Sequence, residues 1–134
     1  MGIVTLTQAR KIDAMPSLPE VLRDRTKAFA SRIVRLFRHL PKTDEARIIG
    51  KQLLRCGTSV AANYRAVCRA RSPAEFLAKI GVVVEEADET VFWLEFLIET
   101  GLVTAKRLQP LLDEANEILA IVAASQKTAR ARGQ

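Results

Sequence analysis

Hydrophobic positions recur at alternating intervals of three and four residues over most of the chain, the spacing that places side chains on one side of an α-helix. The pattern is clearest between Thr43 and Gly101, where two long amphipathic segments are separated by a break at Arg71-Ser72-Pro73. The predicted buried stripe of the earlier segment consists of Ala46, Ile49, Leu53, Cys56, Val60, Asn63, Val67 and Ala70. That of the later segment consists of Phe76, Ile80, Val83, Ala87, Thr90, Leu94 and Leu97.

Local signals indicate where these two helices begin and end. Thr43 is a favourable N-cap, and the acidic residues that follow it suit the positive end of the helix dipole. Ser72-Pro73-Ala74-Glu75 is a capping box with proline at the first helical position, which predicts the start of the later helix. Gly101 predicts its end, because glycine tolerates the left-handed conformation that often follows a helix.

Two further helices are predicted to flank this pair. One runs from about Pro19 to His39, and the other begins near Thr104, or near Gln109 if Pro110 breaks the earlier turn. Short connections force consecutive helices to lie antiparallel. The sequence therefore predicts an all-α fold, an antiparallel up-down-up-down four-helix bundle over residues 18–130. Residues 1–17 show no sustained helical period and predict a flexible N-terminal arm, and residues 131–134 predict a frayed tail.

Charge is distributed unevenly along the chain, whose net charge is +6. Residues 1–72 hold 15 Lys/Arg and 5 Asp/Glu, whereas residues 73–134 hold 6 and 10. Five of the basic residues lie opposite the buried stripe of the earlier central helix, and they are Arg47, Lys51, Arg55, Arg65 and Arg69. Such a face predicts salt-sensitive binding to the backbone of RNA or DNA. Two alternatives stay open, namely contact with the acids of a neighbouring subunit and an ordinary solvated surface.

Aromatic residues fall on the acidic side of the later central helix. Phe92 and Phe96 lie among its acids, and Trp93 flanks them. Exposed aromatic clusters are unfavourable in a soluble monomer and are enriched at protein contacts. We therefore predict that Phe92, Trp93 and Phe96 anchor a subunit interface, in which this face meets a different face of the next subunit.

No arrangement of residues indicates catalysis, a cofactor or a metal site. The sequence lacks a nucleophile–base pair and a glycine-rich phosphate loop. Glu86 and Glu89 have the spacing of helical metal ligands, but the single histidine, His39, lies outside any such motif. No apolar run approaches the roughly 20 residues of a membrane span, and the first 15 residues lack a signal-peptide core. We predict a non-enzymatic, cytoplasmic protein with no membrane contact.

Three blocks of the sequence resemble a known bacterial family. They are Gln-Leu-Leu-Arg-Cys-Gly-Thr-Ser-Val-Ala-Ala-Asn-Tyr-Arg from Gln52, Arg-Ala-Arg-Ser-Pro-Ala-Glu-Phe from Arg69, and Glu-Ala-Asp-Glu-Thr-Val-Phe-Trp-Leu-Glu from Glu86. From about Ala28 to Val103 the chain resembles the four-helix-bundle proteins encoded in intervening sequences of 23S rRNA genes. The accessory variability proteins of diversity-generating retroelements are related to this group.

The resemblance implies a four-helix bundle that forms a homopentameric ring and binds nucleic acid through basic surface. In the retroelement branch it also implies contact with a reverse transcriptase. Ala66 departs from the family pattern, which usually has an acidic residue there, so a role tied to that acid does not carry over. Together with the basic face, this predicts a non-enzymatic, ring-forming accessory protein that binds nucleic acid. The alternative is an oligomeric scaffold or adaptor that binds a protein such as a reverse transcriptase.

Overall fold

The computed structural model describes residue 15 and residues 17–133, which form four α-helices. The helices are α1 (Leu18–His39), α2 (Asp44–Cys68), α3 (Pro73–Glu99) and α4 (Ala105–Arg132). Consecutive helices pack side by side around a core of leucine, isoleucine and valine side chains, so the predicted all-α four-helix bundle is confirmed. The predicted N-terminal arm lies almost wholly outside the described residues. The fraying predicted for residues 131–134 stays a prediction.

Each helix begins with a hydroxyl side chain that accepts a hydrogen bond from the backbone N–H three residues later. These N-caps are Ser17, Thr43, Ser72 and Thr104, with N···O distances of 3.1–3.4 Å. The starts that Thr43 and Ser72 predict are therefore confirmed. Gly101 follows the end of α3 with a φ of 73°, the left-handed conformation that was predicted for this stop.

The last helix begins directly after its N-cap Thr104, which is the earlier of its two predicted starts. Pro110 lies inside α4, in its second turn. A proline there removes one backbone N–H, so the carbonyl group of Lys106 loses its usual partner. Lys106 and Pro110 are both exposed, and water can replace that hydrogen bond. The helix therefore passes through Pro110 without ending.

The buried stripe of α2 is rotated from its predicted position towards α1. Gly50, Gly57 and Tyr64 are buried, whereas Ile49 and Asn63, which were predicted to be in the core, are only half-buried. The Asn63 amide donates hydrogen bonds to the Ser59 backbone oxygen at 3.0 Å and to the Ser59 hydroxyl at 2.7 Å. Its polar group is thus satisfied by its own helix.

Two glycines of α2, about two turns apart, allow α1 to approach closely. A Cβ atom on Gly57 would lie 2.9 Å from Cγ1 of Ile33, and one on Gly50 would lie 2.7 Å from Cδ1 of Leu40. Both distances are shorter than a van der Waals contact between carbon atoms. The absence of these side chains therefore fixes the spacing between α1 and α2.

A part-buried ion pair connects α1 to α4. The Arg25 guanidinium donates to both carboxylate oxygens of Glu114, at 2.8 and 2.6 Å, and Nη2 also lies 3.1 Å from Glu117. Bidentate pairs of this kind are directional and stronger than neutral hydrogen bonds. The hydrogen bond from Arg25 lowers the pKa of Glu114 below its ordinary value.

We expect Gly57→Ala to lower the free energy of unfolding by about 1 kcal/mol. The new methyl group would meet the branched side chain of Ile33, and overpacking of this kind costs about 1–3 kcal/mol, which exceeds the gain of about 1 kcal/mol in helix propensity. Gly81→Ala is the matched control, because its nearest neighbour is the flexible end of Gln126 at 3.4 Å. Urea unfolding measures both, and equal stabilisation by the two changes would contradict the close approach.

We expect Glu114→Gln to lower the free energy of unfolding by about 1 kcal/mol at neutral pH, since it removes the charge from a part-exposed bidentate pair. A lowered carboxyl pKa stabilises the fold above the ordinary value of 4.5 and stops doing so as the pH falls through the folded-state pKa. The difference from the parent protein should therefore shrink in acid. Glu117→Gln, whose carboxylate is mostly exposed, should change stability little at any pH.

Candidate nucleic-acid interface

Two of the predicted basic residues line a groove between α1 and α2. Arg65 and Arg69 form its α2 wall, and Arg23 and Lys27 form the opposite wall on α1. Thr58, Ala61 and Ala62 lie between the walls, and the groove has a volume of 630 Å³. We call this the basic groove.

The antiparallel packing of α1 and α2 brings the two basic walls together. The first turns of α1 lie beside the last turns of α2, as the 3.8 Å contact between the Cys68 sulfur and the Pro19 carbonyl oxygen shows. The floor is shallow because its side chains are small, and the Thr58 hydroxyl donates to the Leu54 carbonyl of its own helix at 2.7 Å. Long cationic side chains therefore border a low floor on both sides.

The charge in the basic groove is largely uncompensated. Asp24 is the acid that lines it, and its Oδ1 lies 3.2 Å from Nε of Arg23. Among residues 17–133, Lys27, Arg65 and Arg69 make no ion pair within 4 Å. The groove thus presents guanidinium and ammonium donors to solvent.

Arg47 and Lys51, also predicted basic-face residues, lie at the other end of α2. They border a separate hollow of 260 Å³ at the connection between α1 and α2, together with Lys42. The floor of this hollow is apolar and includes Phe37 and Leu40. We call it the turn hollow. The five predicted residues therefore do not form one continuous site.

Arg55 differs from the other four predicted basic residues because it faces α3. Its guanidinium forms ion pairs with Glu86, at 3.4 Å, and with Glu89. The same Glu89 carboxylate accepts a hydrogen bond from the indole Nε1 of Trp93 at 3.2 Å. The charge of Arg55 is therefore balanced within the bundle. The two glutamates with the spacing of metal ligands are engaged by this arginine.

The three predicted interface aromatics form one cluster on α3. The ring centroid of Phe92 lies 4.9 Å from that of Trp93 and 5.7 Å from that of Phe96, and those of Trp93 and Phe96 are 6.0 Å apart. Phe92 is 52% exposed, whereas the other two are half-buried. An apolar group of this size is therefore open to solvent on the outer side of α3.

Arg23 and Lys27 were not among the predicted site residues. Both lie on the outer side of α1, but their position opposite Arg65 and Arg69 depends on the register between two helices. The short α1–α2 connection predicts that the two helices are antiparallel, but it does not by itself fix which of their residues are level with each other. Counting outward from the turn on both helices would place Arg23 level with Val60, so the observed register follows from packing, as the contact of Ile33 with the Gly57 position shows.

The bundle contains two free cysteines, of which Cys68 lines the basic groove and Cys56 is buried. Burial raises the pKa of the Cys68 thiol, which lines the groove, and raises that of Cys56 to about 11. A thiol with a raised pKa is protonated near neutral pH and is a poor nucleophile. The part of the chain that the structure describes contains no cluster of three or more potential metal-ligating residues.

Comparison with known proteins places this bundle in a family. Residues 21–124 match the family model described as 23S rRNA-intervening sequence protein. The chain belongs to this family. The matched region covers most of the four-helix bundle, including both walls of the basic groove and the aromatic cluster. The family membership that the resemblance predicted is therefore confirmed.

A solved crystal structure provides a relative at the level of the fold. It is a protein of unknown function from the S23 ribosomal protein family of Bacteroides thetaiotaomicron VPI-5482, determined at 1.70 Å. It shares 35% sequence identity with this chain, with a TM-score of 0.75, over 81% of this chain and 97% of the relative. No curated protein matches the chain. Within residues 17–133, no helix combines the length and apolar character that a membrane span requires.

Proposed function

We propose that this protein is a non-enzymatic, cytoplasmic accessory factor that binds the backbone of RNA or DNA and assembles into a ring. The observation that carries the binding function is the basic groove, in which cations from α1 and α2 face each other across a floor of small side chains. A phosphate in this groove could reach donors on both walls. Phosphate contacts of this kind supply most of the affinity in sequence-independent binding.

The composition of the groove favours recognition of the backbone over recognition of bases. Base stacking on a protein needs exposed aromatic side chains. The residues that line the basic groove include no aromatic group, and Tyr64, on the same helix, is only 6% exposed. Arginine provides a planar fork of donors that matches the geometry of phosphate oxygens. The proposed ligand is therefore a nucleic-acid strand held by shape and charge.

Assembly would strengthen this binding. The family resemblance implies a homopentamer, and a ring would carry one basic groove on each subunit. Several weak contacts made at once raise the overall affinity, because the later ones form within an existing complex. The exposed aromatic cluster supports assembly, since it is otherwise an unfavourable apolar surface. An accessory role beside a reverse transcriptase is the further proposal that the retroelement resemblance suggests.

We expect Arg65→Gln combined with Arg69→Gln to weaken binding to labelled structured RNA and duplex DNA by about 10- to 100-fold at 0.1 M salt. The change removes two phosphate partners, so the slope of log affinity against log salt should become shallower by about 2 for duplex DNA. Fluorescence anisotropy across a salt series measures both quantities. The matched control is Lys106→Gln with Arg107→Gln, two exposed cations at the start of α4 outside the groove.

The control pair should lose much less affinity than the groove pair. Equal losses would mean that binding depends on net charge and not on the groove, which would contradict the proposal. If the parent protein binds neither RNA nor DNA at low salt, the alternative is an oligomeric adaptor for a protein partner such as a reverse transcriptase. The exposed aromatic cluster is the observation that favours that second function.

A further inference from the structure

The aromatic cluster of α3 extends onto α2. Arg55 defines the register between these antiparallel helices, because it pairs with Glu86 and Glu89. Seven residues are close to two turns, so a shift of seven along both helices keeps nearly the same faces in contact. Moving seven residues back from Arg55 on α2, and seven forward from Glu86 and Glu89 on α3, shows that Ile48 is level with Trp93 and Phe96. Ile48 is 65% exposed and joins Phe92, Trp93 and Phe96 in what we call the apolar patch.

Exposed carboxylates surround the most exposed member of this patch. Glu85 and Asp88 precede Phe92 by seven and four residues. Glu95 and Glu99 follow it by three and seven residues. Positions with these spacings lie on the same side of a helix. Within the described part of the chain, none of the four makes an ion pair within 4 Å. The apolar patch therefore offers an aromatic ring within a border of negative charge.

The turn hollow has the opposite character. Its floor is apolar, with Phe37, Leu40 and Ala46, and its border carries Lys42, Arg47 and Lys51. These cations likewise make no ion pair within 4 Å among residues 17–133. An aromatic ring could contact the floor while the carboxylates around it pair with the cations. Cations beside an aromatic ring add a further attraction.

The two surfaces lie at the same height on the bundle. Ile48 belongs to the apolar patch and Arg47 to the turn hollow, and these residues are adjacent in α2. Consecutive residues of a helix project about 100° apart. The patch and the hollow therefore occupy neighbouring faces, and no single subunit can bring one against the other.

We infer that the apolar patch of one copy of this chain docks into the turn hollow of the next copy. A contact between two different surfaces of the same protein closes into a ring when the rotation between subunits closes. Surfaces at equal height on neighbouring faces give a rotation axis roughly parallel to the bundle, which favours closure over a filament. This inference rests on the assembly part of the proposed function. It assigns Arg47 and Lys51 to the subunit contact and leaves the basic groove to phosphate.

Two variants, each lacking one of the surfaces, test this contact. Phe92→Asp removes the patch and keeps the hollow, whereas Arg47→Glu with Lys51→Glu reverses the hollow and keeps the patch. All three residues are exposed, so the bundle should stay folded, which circular dichroism can verify. Light scattering after size-exclusion chromatography should show each variant as a monomer of 14.9 kDa. The parent protein should form a larger assembly.

Mixing the two variants gives the decisive result. Only one intact patch and one intact hollow can then meet, so we expect a dimer of about 30 kDa, twice the 14.9 kDa of the chain, and no larger species. A mixture that stays monomeric, or one that recovers the full assembly, would overturn the inference. So would a monomeric parent protein, or an unchanged assembly in either variant alone.

A charge-matched control separates this contact from nucleic-acid binding. Arg65→Glu with Arg69→Glu makes the same change in charge within the basic groove, and it should leave the assembly mass unchanged while abolishing binding to duplex DNA. The Phe92→Asp monomer should retain weak, salt-sensitive DNA binding because its groove is intact. If the dimer forms on mixing but no variant binds DNA, the subunit contact holds and the proposed nucleic-acid function fails.

Discussion

The close approach of α1 to α2 is the constraint on which both candidate surfaces depend. Gly50 and Gly57 present no side chain to α1, so Leu40 and Ile33 fill the space where a Cβ atom would lie. With the helices this near, the cations on their outer sides are brought into two facing rows. The basic groove and the turn hollow both lie along this seam, towards its opposite ends. A wider spacing would separate the walls of each.

The sequence predicts the features that depend on one helix at a time. Thr43, Ser72 and Gly101 define helix ends through local hydrogen bonds and backbone conformation, and each acts as predicted. Gly57 lies outside the predicted stripe of α2 and is nevertheless buried. Its buried place in α2 became clear only with Ile33 beside it, because a periodic pattern locates a buried side without saying which neighbour covers it. The rotation of the α2 stripe towards α1 has this origin.

Arg55 shows that a charge pattern, like a hydrophobic one, does not say which neighbouring helix a residue meets. At about 100° per residue, Arg55 lies at one edge of the basic face, about 80° from Arg47 and Arg65, but the spacing does not show which helix lies beside that edge. Tertiary structure sets Glu86 and Glu89 beside it, so a residue predicted to bind phosphate already has two carboxylate partners. Ion pairs between helices depend on register, and register is fixed by turns and packing. The role of a basic residue in this bundle thus follows from which helix faces it.

The arrangement along α2 suggests why the basic residues fall into groups. Groups that bind phosphate gain from being uncompensated, because released counterions provide the affinity. Those in a subunit contact gain from having acids opposite them, because complementary charge sets the register and rejects wrong pairings. Arg65 and Arg69 face other cations across the basic groove, whereas Arg47 and Lys51 border an apolar floor. One amphipathic helix can therefore serve both purposes, provided that the two ends of its outer face meet different neighbours.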